Sequence, residues 1–145
     1  MSRVSTYLNF QGKTEEAFAF YKQVFGTEYI GGIDRMKDAP SNPNNPMSES
    51  EGNFIMNVQL PILAGHILMG TDMLDSMGQF IAGNNVSINL EPDTLEEAQR
   101  LHKELSEGGS EIMPLDKMFW GDYWSSFVDK FVYLFLCFDI FHPFL

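Results

Sequence analysis

The stretch NFQGKTEEAFAFYKQVF, Asn9 to Phe25, returns later in the chain as NLEPDTLEEAQRLHKEL, Asn89 to Leu105. Both copies contain the tripeptide Glu-Glu-Ala. Each copy begins within a stretch in which apolar and polar residues alternate, VSTYLNF (Val4–Phe10) and VSINL (Val86–Leu90). Such alternation is typical of a half-buried strand. The chain therefore repeats one structural unit, in which a strand leads into a helix.

Each repeat predicts one amphipathic helix. Apolar residues recur at steps of three and four, which gives each helix one apolar face. The positions are Ala17, Tyr21, Val24 and Phe25 in the first helix, and Leu95, Ala98, Leu101 and Leu105 in the second. Thr94, followed three residues later by Glu97, predicts a capping box at the start of the second helix. Gly26 and the pair Gly108-Gly109 mark the helix ends.

Further strand candidates follow each helix. They are TEYIGGIDRM, FIMNVQL and GHILMG in the first half, and SEIMPL, WSSFV and FVYLFLCF in the second. The repeat is therefore strand, helix and about three strands, which predicts an α+β fold made of two βαβββ modules. The proline-rich loop Lys37–Asn53 is expected to be mobile or to cover a ligand.

We expect the modules to span residues 1–75 and 84–145, with Met73–Asn85 as a polar linker between them. Modules of this size cannot bury their apolar faces separately, so they should pack together as one compact domain. Two curled mixed sheets paired in this way are expected to form a shared cleft, which is where ligands generally bind.

The charge balance limits the partners. The chain carries 20 acidic and 9 basic residues, for a formal net charge of -11. Nucleic-acid binding depends on lysines and arginines that displace counterions from phosphates, so this class of partner is excluded. The same charge would attract cationic ligands, although a solvated acidic surface is the simpler explanation.

The sequence predicts a cytoplasmic protein. The single Cys137 cannot form an internal disulfide, and the first residues lack the pattern of a signal peptide. The most apolar stretch, FVYLFLCF (Phe131–Phe138), is well below the ~20 residues that a membrane span needs. We therefore expect no membrane partner.

Several of these stretches, taken in order, resemble one known family. TYLNFQGKTEEAFAFYKQVFG, IMNVQLPI, ILMGTD, SINLEPDTLEEAQRLHKELSEGG and MPLDKMFWGDYWSSFVDKF look like the PhnB-like branch of the vicinal oxygen chelate superfamily. This superfamily contains glyoxalases, bleomycin-resistance proteins and extradiol dioxygenases, and the branch is also labelled a 3-demethylubiquinone methyltransferase-like domain. The resemblance runs from Val4 to Phe131 and implies paired βαβββ modules, usually in homodimers.

The end of the chain departs from the family pattern. After FVDKF, relatives generally continue with a glycine and a tryptophan-containing strand, whereas this chain runs VYLFLCFDIFHPFL. Residues 132–145 are therefore an atypical tail. VYLFLCF is apolar and β-rich and can still supply a strand. If exposed, so apolar a tail would form an aggregation or dimerisation surface.

The resemblance also implies a possible divalent metal, because the superfamily's enzymes hold one with histidines and carboxylates of their inner strands. Here Asn57 stands where PhnB-like proteins commonly have a histidine, and a neutral amide is a poor ligand for a transition metal. His66, His102 and His142 do not pair with one another at ligand spacing. We therefore expect no histidine-based metal site.

Two strand-end acids remain as metal candidates. Asp72 ends ILMGTD and Glu91 ends VSINLE. For Asp72, a role in capping the following turn is preferred to metal ligation, and the same preference holds for Glu91. A complete metal site is therefore not expected.

The stretch MFWGDYW, Met118 to Trp124, concentrates both tryptophans around one glycine and one acid. Rings at strand and loop ends often line the pocket of an organic ligand, and about as often they plug the open end of a curved sheet. The candidate ligand-binding residues are Asn57, Phe119, Trp120, Asp122, Tyr123 and Trp124.

Two functions from different classes follow. The first is a metal-independent binding protein that sequesters a small aromatic or cationic molecule, as bleomycin-resistance relatives do, and this reading is preferred. The second is a metal-dependent lyase, isomerase or dioxygenase, in which the ion polarises substrate oxygens. A scaffold that acts through dimer contacts is a third hypothesis. Methyltransferase activity has no support, because no glycine-rich nucleotide loop follows a strand.

Overall fold

In the computed structural model, which describes residues 1–44 and 46–139, the chain divides into two units, Met1–Ile81 and Ala82–Leu145. Each unit contains one four-stranded mixed sheet and one helix of 12 residues. The α+β class and the duplicated module are thereby confirmed. None of the helices in the described ranges is long and apolar enough to cross a membrane.

The first unit contains four strands, one long helix and one short helix. In chain order they are β1 (Thr6–Phe10), α1 (Thr14–Phe25), β2 (Asp34–Arg35), α2 (Glu49–Gly52), β3 (Ile55–Pro61) and β4 (Ile67–Asp72). The strand order is β1-β4-β3-β2. The first and last strands of the module, β1 and β4, run parallel, and the other pairs are antiparallel.

The second unit repeats this plan. In chain order it contains β5 (Ile88–Leu90), α3 (Leu95–Ser106), β6 (Ser110–Lys117), β7 (Tyr123–Val128) and β8 (Leu134–Asp139). The strand order is β5-β8-β7-β6, again with the first and last strands parallel. The atypical tail thus supplies the strand β8, and Phe135 and Cys137 in it are fully buried. Residues 140–145 lie outside the described residues.

One strand prediction was too long. TEYIGGIDRM covers Thr27–Met36, but only Asp34–Arg35 pairs with β3 as a strand. Gly31 has a φ of 77°, in the left-handed region, so the backbone leaves the extended conformation there. Before this bend, the backbone N–H of Ile30 still donates to the carbonyl of Gln59 at 2.9 Å.

The core of the first unit lies between α1 and its sheet. Ala17, Tyr21 and Val24 are buried as the helical period predicts, but Phe25 is only half-buried. Phe18, which the prediction left out, is fully buried instead. Its ring fits against β4 at Gly70, where the missing side chain leaves the necessary space.

The core of the second unit is built in the same way. Ala98, Leu101 and Leu105 of α3 are fully buried, whereas Leu95 is half-buried. They cover a sheet face that contains Phe127 and Phe135, whose rings stack at 5.6 Å between centroids, 5° from parallel. Burial of these apolar faces is the main driving force for folding each unit.

The predicted capping box on α3 forms only in part. The hydroxyl of Thr94 accepts a hydrogen bond from the backbone N–H of Glu97 at 3.1 Å, as predicted. The Glu97 carboxylate does not complete the box, because both of its oxygens accept hydrogen bonds from Arg100. This hydrogen bonding holds the pKa of Glu97 below its usual value.

Cys137 is part of this core and not a reactive site. Its thiol donates a hydrogen bond to the carbonyl of Ala98 at 3.5 Å. Burial, with a smaller contribution from the charges of Glu97 and Asp139, raises the pKa of Cys137 to about 12. The side chain therefore stays a neutral thiol, and a thiolate nucleophile is not available at neutral pH.

Replacing Gly70 by alanine is expected to destabilise the first unit. A Cβ at this position would lie 2.4 Å from Cε2 of Phe18, whose ring is fully buried and has no free space to move into. We expect a loss of about 1–3 kcal/mol in the free energy of unfolding, measured by urea denaturation. Gly32→Ala is the control, because no atom lies within 4 Å of its Cβ position. Equal losses in both variants would contradict the packing described here.

Candidate functional site

Each sheet has one face covered by its long helix and one face that the long helix leaves open. In the first sheet, the open face carries mostly polar side chains, because they alternate along the strands with the buried residues that contact α1. We call this the polar face. Its members are Tyr7, Asn9, Asn57, Gln59, Met69 and Thr71.

The open face of the second sheet has a different character. Trp124 and Phe138 are directly opposite each other on β7 and β8, and their ring centroids lie 6.2 Å apart at an angle of 57°. We call this the aromatic face. The pairing register gives its members, which include Asn89, Met113, Asp116, Trp124, Ser126, Leu136 and Phe138. A register shift in β6 between Met113 and Asp116 pairs both of these residues with side chains of this face, Ser126 and Trp124.

The aromatic stretch predicted as a ligand site divides into three parts. Trp124 lies half-buried on the aromatic face, whereas Tyr123, one residue earlier in β7, lies on the helix-covered side. Phe119 and Trp120 lie at the tip of the β6–β7 hairpin, with 98% and 51% of their surfaces exposed. Their rings meet edge to face at 4.8 Å. The hairpin therefore presents an apolar surface at its tip, separate from the Trp124 ring.

Asp122 holds the hairpin tip in shape. Its carboxylate accepts a hydrogen bond from Nε1 of Trp120 at 3.0 Å, and its carbonyl accepts one from the backbone N–H of Met118 at 2.7 Å. Gly121, with a φ of 105°, supplies the left-handed backbone that this turn requires. Asp122 thus has a structural partner, and it fixes the orientation of the Trp120 ring.

Asn57, the sixth predicted residue, is on the other unit. It is half-buried in β3, beside Val58, whose side chain lies on the helix-covered side. Alternation therefore places Asn57 on the polar face with Gln59. Its amide can donate and accept hydrogen bonds there.

Asp72 has a larger structural role than the predicted cap of the following turn. It is 2% exposed, and its Oδ1 accepts hydrogen bonds from the backbone N–H and the hydroxyl of Thr14, at 3.1 and 2.7 Å. Its Oδ2 accepts one from the backbone N–H of Ile55 at 2.8 Å. Asp72 therefore joins the end of β4 to the start of α1 and to the start of β3. Both oxygens are engaged by the protein itself.

Glu91 is exposed and lies just after β5. Its Oε1 accepts a hydrogen bond from the side-chain amide of Asn89 at 3.1 Å. A single exposed carboxylate with one amide neighbour is not a metal site, since a divalent ion needs several converging donors.

A network centred on the buried ring of His102 was missed by the sequence analysis, which considered this residue only as a metal ligand. Its Nδ1 lies 3.0 Å from the hydroxyl of Ser125, and its Nε2 lies 2.7 Å from a carboxylate oxygen of Glu111. The ring also meets the ring of Phe127 edge to face at 5.1 Å. The network joins α3 to β6 and β7. Ser125 is fully buried, which keeps it from any substrate.

The residues present do not fit the metal that the superfamily implies. Within residues 1–44 and 46–139, no three His, Cys, Asp or Glu side chains are grouped so as to hold an ion. Both oxygens of Asp72 and both ring nitrogens of His102 have protein partners. His66, in the turn before β4, has its Nε2 at 2.8 Å from the hydroxyl of Thr6.

The proline-rich loop Lys37–Asn53 encloses a groove of about 470 Å³. The groove is lined by Lys37, Ala39, Ser41, Met47, Ser48, Glu49, Gly52 and Asn53. The ammonium group of Lys37 donates to the Asn53 side chain at 3.2 Å, so the basic group already has a neutral partner. The contact between Lys37 and Asn53 is not a pairing of a nucleophile or an acid with a catalytic base.

Solved structures share this fold. Protein PA1353 from Pseudomonas aeruginosa is 29% identical, with a TM-score of 0.80, over 94% of this chain and 96% of that one. The putative 3-demethylubiquinone-9 3-methyltransferase, PhnB protein, from Bacillus cereus is 23% identical, with a TM-score of 0.71, over 93% and 97%. The fosfomycin resistance protein FosX from Listeria monocytogenes, complexed with Mn(II) and sulfate, is 14% identical, with a TM-score of 0.56, over 97% and 93%.

These similarities define the class: the protein has the glyoxalase/bleomycin-resistance fold of the vicinal oxygen chelate superfamily. The family described as 3-demethylubiquinone-9 3-methyltransferase matches residues 2–127. The chain belongs to this PhnB-like family. The match ends at Phe127, within β7, and does not include β8. No curated protein matches the sequence.

Replacing Asp72 by asparagine is expected to destabilise the first unit without loss of any metal. The amide has one acceptor atom where the carboxylate has two, so at least one of the donors on Thr14 and Ile55 is left without its bond. We expect a loss of about 2 kcal/mol or more in the free energy of unfolding, measured by urea denaturation. Glu91→Gln is the control and should change it little. Unchanged stability of Asp72→Asn would contradict the bridging role.

Replacing Ser125 by alanine is expected to leave Nδ1 of the buried His102 ring without its partner. The cost should be about 1–3 kcal/mol in the free energy of unfolding. Ser126→Ala is the matched control, since the neighbouring hydroxyl lies on the opposite face of β7 and does not contact His102. A greater loss in Ser126→Ala than in Ser125→Ala would show that the network contributes no stability.

Proposed function

We propose that the protein binds a small organic ligand on the aromatic face of its second unit, without a complete metal site. The observation that carries this proposal is the pair Trp124 and Phe138. Their rings lie on the face of the sheet opposite α3, and both are only half-buried. Aromatic rings with partial exposure offer stacking area at a small cost in side-chain entropy.

The surroundings of the pair suit an organic molecule. Leu136 and Met113 add apolar surface on the same face. Asn89, at its β5 edge, carries an amide that donates to Glu91, and Ser126, between Trp124 and Val128 in β7, is only 8% exposed. Ligand sites are typically apolar surfaces with a few polar groups that orient the ligand. The face thus has the composition of a binding surface for a flat, mainly apolar molecule.

Two further groups belong to the proposal. Phe119 and Trp120 extend the apolar surface at the end of the hairpin that carries Trp124, and Asp122 orients the Trp120 ring. Asn57, on the polar face of the first sheet, stays a predicted hydrogen-bonding residue and is not part of the site proposed on the second unit. Tyr123 lies on the helix side of β7 and is given no direct contact. A homodimeric state and a cytoplasmic location, both expected from the sequence, are retained as proposals.

Metal-dependent catalysis of the glyoxalase type is the competing function. The FosX structure complexed with Mn(II) shows that a distant protein of this fold binds a divalent ion. In this chain Asp72 and His102, whose side chains have the chemistry of metal ligands, are engaged in holding their units together. These contacts favour metal-independent binding.

Replacing Trp124 by leucine is expected to weaken ligand binding about tenfold or more, because the largest stacking surface of the aromatic face is lost. Binding of a set of neutral and charged aromatic fragments can be followed by ligand-observed NMR. Trp120→Leu should weaken binding less, since its ring lies at the exposed tip. Tyr29→Leu is the control, because this half-buried aromatic residue belongs to the first unit and to neither open face.

Two outcomes would contradict this proposal. The first is fragment binding that is equally strong in wild type and Trp124→Leu. The second is tight, stoichiometric uptake of Zn, Ni, Mn or Fe by the metal-free protein in calorimetric titrations, abolished in Glu91→Ala. That result would favour the metal-dependent enzyme.

A further inference from the structure

We propose that the ligand of the aromatic face is an organic cation, and that Asp116 is the residue that recognises its charge. This inference rests on the proposed function, since it names the chemical class of the molecule that Trp124 and Phe138 would bind. It depends on the row of side chains across β6, β7 and β8.

The register defines this row. Asp116 of β6 is directly opposite Trp124 of β7, and Trp124 is directly opposite Phe138 of β8. Directly paired residues of neighbouring antiparallel strands lie on the same face, with Cβ atoms roughly 4.5–5.5 Å apart. One carboxylate, one indole ring and one phenyl ring therefore lie side by side on the open face of the second sheet.

This combination of groups is suited to an organic cation. The indole is the aromatic side chain that attracts a cation most strongly over its face, and the neighbouring ring adds apolar contact. A carboxylate at the end of the row adds direct attraction to the charge. A neutral aromatic ligand would use the two rings equally well but gain nothing from Asp116.

Asp116 is available for this role. Its side chain has no hydrogen bond or ion pair with any residue in the part of the chain that the structure describes. Asp122, the other acid near the rings, is already engaged by Nε1 of Trp120. Asp116 is therefore available to a ligand, whereas Asp122, the candidate acid of the sequence analysis, is not.

The charges around the row also favour a cation. Among the described members of the aromatic face there is no lysine or arginine. Lys117 follows Asp116 directly but is paired with Tyr123, on the opposite side of the sheet. The net charge of -11 adds a field that draws cations towards the protein and repels anions.

Two probes that differ in charge test this inference. N-methylquinolinium carries a permanent positive charge, whereas quinoline has the same ring system and is neutral at neutral pH. Ligand-observed NMR titrations give the affinity of each probe for the wild-type protein. We expect the cation to bind about tenfold more tightly than quinoline, and added salt to weaken only the cation.

Three variants separate the contributions. Asp116→Asn should reduce the preference for the cation severalfold and leave the smaller preference that the Trp124 ring supplies, and Trp124→Leu should weaken both probes. Glu107→Gln is the control, because it removes the same charge at an exposed position between α3 and β6, outside the row of Asp116, Trp124 and Phe138. This variant should keep the preference for the cation.

The outcomes distinguish the two proposals. Equal affinity of the wild-type protein for both probes, with loss of both in Trp124→Leu, would overturn the cation class and leave the aromatic face as the binding surface. A preference for the cation that is undiminished in Asp116→Asn would remove Asp116 from its role. Absence of Trp124-dependent binding by either probe would overturn both proposals.

Discussion

The first unit depends on the carboxylate of Asp72. Three donors converge on this one buried group: two from Thr14, at the first residue of α1, and one from Ile55, at the first residue of β3. The start of a helix presents backbone N–H groups without partners and a positive dipole end, so a carboxylate there is favourable both as an acceptor and as a charge. Asp72 ends β4, the central strand paired with both β1 and β3. One side chain therefore ties the start of the helix to two neighbouring strands, β4 and β3.

In the second unit, the start of the helix is capped by a residue next to it in the sequence, whereas Asp72 is far from α1 in the sequence. This difference determines which contacts could be predicted from the sequence. Thr94 caps α3 through an N–H only three residues away, and a local motif of this kind can be recognised in the sequence. Asp72 reaches Thr14 across 58 residues, and His102 reaches Ser125 across 23, so no pattern within a short window reports these contacts. The periodic patterns predicted the order of strands and helices, the duplication and most of the core. The strand predicted over Thr27–Met36 was too long, because alternation of apolar and polar residues does not report the left-handed bend at Gly31.

The two modules keep the same topology but have diverged on their open faces. In the first, β3 and β4 carry Asn57, Gln59 and Thr71 on that face, whereas in the second the matching surface carries Trp124 and Phe138. Burial against a helix constrains only the residues on the covered side, since there a change in volume leaves a cavity or a clash. The open sides are free of this constraint, which is why the sequence analysis could find the rings but not which of them share a face.

Stability and the proposed ligand binding thus depend on different residues. The side chains with the chemistry of metal ligands, Asp72 and His102, are buried and engaged by protein donors and acceptors, so recruiting them to an ion would cost the contacts that hold their units. Trp124 and Asp116 have no comparable role in the core, and a change at either leaves the helix-covered face intact. A surface of this kind can adapt to a new organic ligand by single substitutions without loss of the fold. A metal centre would instead require several new donors to converge at once. The distribution of buried and exposed chemistry in this chain therefore favours recognition by rings and charge over coordination.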